Sequence, residues 1–115
     1  SSSAGGYEVA GRILERTDYV TAFFCMNDIT AIGAIKAIQE KGYRIPEDIS
    51  LIGMDDIELA QFVSPMLTTM HIPIGEMGKM TAKILIDRIR GGHTLPMKIS
   101  LPYYPVTRES CGPGP

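Results

Sequence analysis

Two apolar runs in this chain stop in the same way, and that repeat narrows the choice of fold. Tyr19–Met26 (YVTAFFCM) ends on Asn27-Asp28, and Ile49–Met54 (ISLIGM) ends on Asp55-Asp56, with Asp55 28 positions after Asn27. Both runs lack polar alternation and are rich in β-branched, aromatic and long aliphatic residues, the pattern of strands covered on both faces in a parallel sheet. Between them, Asp28 to Lys41 reads as a helix with Gly42 at its left-handed stop. A strand, a helix and a second strand with the same polar ending form a βαβ unit, which predicts parallel strands joined by right-handed crossovers.

The flanking segments extend the alternation. Tyr7 to Arg16 carries Val9, Ala10, Ile13 and Leu14 at helical spacing. Asp55-Asp56 opens a short helical stretch to about Val63, and Leu67 to His71 is a third short strand. After Pro73, the residues Ile74, Met77, Thr81, Ile84, Leu85 and Ile89 share one arc of a helix, with Glu76, Lys79, Lys83, Asp87 and Arg90 opposite. Gly91-Gly92 ends that helix. Met97 to Tyr104 (MKISLPYY) supplies a last strand, placed at an edge because Pro102 cannot donate to a ladder. The expected order is α-β-α-β-α-β-α-β. Residues 1–6 (SSSAGG) and the Gly/Pro tail 111–115 are small and coreless, and are read as flexible ends flanking a folded segment 7–110.

Composition limits the function classes. With 44% hydrophobic and 21% charged residues among 115, the chain has the makings of one ordinary core. A net charge of -2 argues against a nucleic-acid surface, which needs clustered Lys and Arg to neutralise phosphates. No apolar run approaches the roughly 20 residues that span a bilayer. Cys25 and Cys111 show neither metal-ligand spacing nor a disulfide framework, which favours the cytoplasm.

In open α/β sheets, ligands bind beyond the carboxyl ends of the strands, where helix N-termini converge. Both polar pairs are expected there. Asn27 offers an amide that donates and accepts, and Asp55 an acceptor-only carboxylate, a combination suited to vicinal hydroxyls or a heterocycle edge. Asn and Asp are also the preferred helix caps, and on spacing alone that is the more ordinary reading, above all for Asp28 and Asp56. A Mg²⁺ site on Asp28, Asp55 and Asp56 would want a phosphate loop or a lysine at a strand end, and none is present. Neither His71 nor His93 has a context that would make Cys25 a nucleophile. In the helix after Asp28, Ile29, Ile32, Ile35 and Ile38 spread over about half the circumference, wider than the ~100° stripe of one core contact. A second contact follows, either within the subunit or with another copy, and Phe62 and Val63 would extend it if exposed.

The motifs ND..AIGA, G..IPEDISLIG.DD, P.LTT, MG..A and R.S occur in one order over about four fifths of the chain, and together they resemble the C-terminal part of lac/gal-repressor-type transcriptional regulators. The resemblance implies the second lobe of an effector domain like the periplasmic sugar-binding proteins, a three-layer parallel α/β fold. It implies that Asn27 and Asp55 contact a small-molecule effector, a sugar or related compound, and that Ile32, Phe62 and Val63 lie in a homodimer interface. It implies no catalysis, no cofactor and no metal, and contact with operator DNA only through a helix-turn-helix that this segment lacks. The alternative with the same fold is a lobe of a periplasmic sugar receptor for a transporter.

Overall fold

The computed structural model describes residues 2–113. Its elements are α1 (Ser3–Arg16), β1 (Ala22–Phe24), α2 (Asp28–Glu40), β2 (Ser50–Ile52), a 3₁₀ turn (Glu58–Gln61), β3 (Thr69–His71), α3 (Ile74–Ile89) and β4 (Tyr104–Val106). β1 and β2 pair in parallel, from Ala22 opposite Ser50 to Phe24 opposite Ile52. Isolated parallel bridges, Ile52 with Thr68 and Asp55 with His71, carry the sheet on to β3. β4 then pairs antiparallel to β3, with Pro105 opposite Met70.

The expected α/β alternation is therefore present, with three corrections. The last strand lies later than Met97–Tyr104 and runs against its neighbour; its Pro105 is tolerated because an outer strand needs donors on one side only. The helix expected from Asp55-Asp56 is reduced to one 3₁₀ turn. Within the described residues, the ends are also not loose. Ser2 caps α1 by accepting from the Gly5 amide, and Gly6 is buried against α2, so residues 3–6 form the first turn of α1. Ser1 lies outside the described residues, as do Gly114 and Pro115. At the other end, the Cys111 thiol reaches the Leu51 carbonyl at 3.2 Å and the Gly112 amide donates to the Ser50 hydroxyl.

The core gathers where α1 and α2 meet the sheet: Ala10 and Leu14 from α1, Ile35 and Ile38 from α2, and Leu51 and Leu67 from the strands beneath. The two helices approach closely because glycines face each other's backbone. A Cβ on Gly33 would lie 1.7 Å from the Ser3 carbonyl oxygen, and one on Gly6 would lie 2.0 Å from that of Thr30. The wide apolar face of α2 is thereby explained in part, since one flank packs on α1 and another on the sheet.

α3 forms as its periodicity requires, but none of its residues is buried. Its apolar arc borders an open cavity of about 360 Å³, where Met77, Met80 and Ile84 face Ile99, Leu101 and Tyr103 of the returning segment. The described chain consequently measures 59 × 24 × 22 Å with a radius of gyration of 18.1 Å, against about 13 Å for a compact domain of this length. β1 likewise leaves Phe24 68% and the following Met26 71% exposed, so it is covered on one face where the sequence pattern predicts two.

Candidate functional site

The carboxyl ends of three strands lie side by side. The Asp28 amide donates to the Met54 carbonyl at 2.9 Å, aligning the end of β1 with that of β2. The Asp55 amide donates to the Met70 carbonyl at 3.0 Å, aligning β2 with β3. Asn27, Asp55 and His71 therefore border one edge of the sheet, where the N-terminus of α2 also opens.

Of the first pair, Asn27 takes the capping role that the spacing allows either residue, and Asp28 does not. Asn27, in extended conformation, is the N-cap of α2, and its Oδ1 accepts from the Thr30 amide at 2.9 Å. Asp28 is not the cap; it is the first helical residue, and its side chain is fully buried. Its Oδ1 accepts from the Thr69 hydroxyl at 2.7 Å and its Oδ2 from the Ile57 amide at 2.9 Å. Asp28 thus joins α2, β3 and the approach to the 3₁₀ turn.

The second pair departs further from the cap reading. Asp55 and Asp56 have positive φ, 120° and 63°, the only such non-glycine residues among those described. This conformation is uncommon for residues with a Cβ, and Asp is among those that tolerate it best. Asp55 is half-buried, and burial first, then the neighbouring Asp28 charge, raises its pKa above the ordinary carboxylate value. Asp56 caps nothing, since Ile57 is the residue preceding the 3₁₀ turn and makes no side-chain cap bond. Its Oδ1 accepts from Arg108 Nη2 at 2.5 Å and its Oδ2 meets His71 Nδ1 at 2.8 Å. Partial burial works against the Asp56 carboxylate, but the hydrogen bonds from Arg108 and His71 prevail and hold its pKa below the ordinary value.

Arg108, His71, Thr69 and Ser110 were not singled out by residue-level reasoning. Arg108 and Ser110 are the R.S of the closing motif, in the bent segment that follows β4. Ser110 is fully buried, accepts from the Thr68 amide and donates to the Leu51 carbonyl, which stitches β2 to β3. The expected interface residues lie apart from this edge: Phe62 is 73% exposed, while Ile32 and Val63 are half-buried. Cys25 is buried, and desolvation, followed by the Asp28 charge, pushes its pKa up to about 11, so its thiol is a poor nucleophile near neutral pH. Among the described residues, no three His, Cys, Asp or Glu side chains are grouped to hold a metal ion, and no helix is long and apolar enough to cross a membrane.

Comparisons with known proteins identify relatives of the fold. The periplasmic binding protein-like domain matches residues 1–111. The chain is 48% identical over 84 residues to the HTH-type transcriptional repressor PurR of Haemophilus influenzae, covering 73% of this chain and 25% of that protein. It is 39% identical over 107 residues to the HTH-type transcriptional repressor MelR of Bacillus subtilis, covering 93% and 31% respectively. The chain thus spans about a quarter to a third of these curated relatives. Among solved structures, a LacI family transcriptional regulator from Enterococcus faecium with bound ribose superposes with a TM-score of 0.87 at 37% identity, covering 97% of this chain and 41% of that one. The transcriptional regulator CelR in complex with cellobiose superposes with a TM-score of 0.91 at 31% identity, covering 95% and 33%. The chain belongs to the periplasmic binding protein-like domain family, in the form carried by LacI-family transcriptional regulators.

Proposed function

We propose that this chain is the effector-binding and dimerisation segment of a DNA-binding transcriptional repressor, with a sugar or a related polyhydroxy compound as effector. The observation that carries the reading is Asp55: a half-buried carboxylate at the joined ends of parallel strands, held at positive φ and raised in pKa by burial and by Asp28. Hydroxyl donors from a ligand would supply the charge-assisted hydrogen bonds that relieve its desolvation. Asn27 contributes by position, at the same edge and at the mouth of α2. Solved relatives hold ribose and cellobiose, which supports a polyhydroxy ligand.

In this reading the protein is not an enzyme, requires no cofactor or metal, works in the cytoplasm without a membrane, and meets operator DNA only through a helix-turn-helix outside this chain. Residues 3–112 form part of the second lobe, and a ligand alters transcription by its differential affinity for two arrangements of the lobes. Homodimer contacts run through Ile32, Phe62 and Val63. A transport receptor shares the fold, and the naming of the relatives as repressors favours the regulator. The test is operator release by the intact regulator against a panel of ribose, lactose and cellobiose, with and without Asp55→Ala. Release by at least one sugar, abolished by the substitution while the fold is kept, is expected; an unchanged response in Asp55→Ala would overturn the assignment.

A further inference from the structure

Asp55 and Asp56 hold a backbone that few residues with a Cβ adopt, although Asp is among those that do. Both carry a Cβ and both sit at positive φ, where glycine is the natural occupant. What surrounds Asp56 differs in kind from what surrounds Asp55. The Asp56 carboxylate is gripped from two elements at once: by Arg108 Nη2 from beyond β4, and by His71 Nδ1 from the end of β3. Each grip is itself anchored. The second arm of Arg108 donates through Nη1 to the Leu67 carbonyl at 2.9 Å, and the Arg108 amide donates to the Thr68 hydroxyl at 2.9 Å. His71 stacks on Tyr104 of β4 with ring centroids 4.7 Å apart and planes 19° from parallel. An ionised carboxylate only accepts, so His71 presents Nδ1–H to it. The Arg108 and Asp56 side chains are 12% and 16% exposed, which shields the pair from solvent and gives it more weight than a surface ion pair.

We propose that Asp56 is a positioning residue, and that the clamp formed by Arg108 and His71 on its carboxylate fixes the backbone turn that aims Asp55 at the ligand. Asp56 does not touch the ligand itself. The inference rests on reading Asp55 as the effector contact, but its test needs no effector, so the two can fail separately.

Amide exchange and the HN–Hα coupling are read at Asp55 in the isotope-labelled 115-residue chain, with the Leu51 amide, bonded to the Ser110 carbonyl, as the reference for global opening. Arg108→Gln and Asp56→Ala are expected to speed exchange at Asp55 by about tenfold or more relative to Leu51, as a local opening does, and to move its coupling toward that of a negative-φ residue. Asp56→Gly separates the clamp from mere backbone tolerance, because glycine accepts positive φ and so keeps the fold without any side chain to hold. It should leave Asp55 as exposed to exchange as Asp56→Ala does. Wild-type protection at Asp55 in Asp56→Gly, or in Arg108→Gln, overturns the proposal. Should Arg108→Gln fail to fold, His71→Phe keeps a ring against Tyr104 and removes only the donor; an unchanged Asp55 there is equally adverse.

Discussion

Thr69 donates its hydroxyl to Asp28 across 2.7 Å, with both side chains wholly excluded from solvent. The other Asp28 oxygen is taken by the Ile57 amide, and a Cβ on Gly53 would come within 2.2 Å of Oδ1, so the carboxylate fills its niche completely. Among the described residues, no basic side chain makes an ion pair with it; neutral donors and the N-terminus of α2 supply the compensation. The contact is the joint between the helix that starts the candidate site and the strand that ends it.

Asp28→Ala leaves the Thr69 hydroxyl and the Ile57 amide without their acceptor inside the protein. We expect a loss of about 2–4 kcal/mol in urea unfolding, the range for orphaned buried donors to a charged group. Asp28→Asn, which keeps one acceptor, should lose less. A midpoint within experimental error of the parent for Asp28→Ala would show that the joint is dispensable.

Asp55 should behave in the opposite sense. Its folded pKa is raised, so its contribution to stability is fully present below the unfolded value of about 3.9 and is lost as pH rises through the folded pKa. At neutral pH the charged form opposes folding. Asp55→Asn is therefore expected to raise the Tm at pH 7, with the gain shrinking toward pH 3, while effector response is lost. Scanning calorimetry at the two pH values checks it, and an equal or lower Tm at pH 7 would contradict the sign.

For Asp56 the folded pKa is lowered, so its contribution is present above the unfolded value and disappears as pH falls through the folded one. Acid unfolding should accordingly be less steep in Asp56→Ala than in the parent, whose loss between about pH 5 and the folded pKa includes this term. Superimposable acid limbs would mean that the Arg108 and His71 contacts do not bias protonation in solution.

Gly33→Ala tests the helix pair. A Cβ there meets the Ser3 carbonyl at 1.7 Å, and backbone cannot swing aside as a side chain can, so α1 must move off α2. Because Ala10 and Leu14 reach the core from α1, the displacement should destabilise the protein by about 2 kcal/mol or more. Limited proteolysis should then cut within α1. Gly11→Ala, with nothing within 4 Å, is the control and should be neutral or slightly stabilising.

Gly33 also shows where sequence reasoning stops. The periodicity of α2 was legible, as were the polar endings of β1 and β2, because both are local properties of a few consecutive residues. The partner of Gly33 was not, since Ser3 lies in a stretch whose small residues read as a loose end when they in fact permit close approach. The same limit separates Asn27 from Asp28: either can cap a helix, and only the burial of Asp28 beneath Thr69 decides which one does. The shift of the last strand from Met97–Tyr104 to Tyr104–Val106 has a related cause. The run MKISLPYY has strand composition, but β3 pairs with the residues that the Arg108 and Ser110 contacts bring into register.

The dimer surface remains to be tested on the chain itself. Phe62 is 73% exposed and Leu59 46%, and both follow the Ile57 amide that Asp28 holds, so this apolar group is carried on a fixed turn. We expect sedimentation equilibrium to show a concentration-dependent dimer. Ile32→Lys and Phe62→Ser should each shift it to monomer, because a charge or hydroxyl placed in an apolar contact loses water without gaining a partner. The exposed arc of α3 is a competing source of association, with Ile89 at 75% and Leu85 at 58% exposed. Ile89→Lys discriminates between the two. If it dissociates the dimer while Ile32→Lys does not, association runs through α3 and the assignment of Ile32, Phe62 and Val63 fails. A parent chain that stays monomeric at every concentration defeats both.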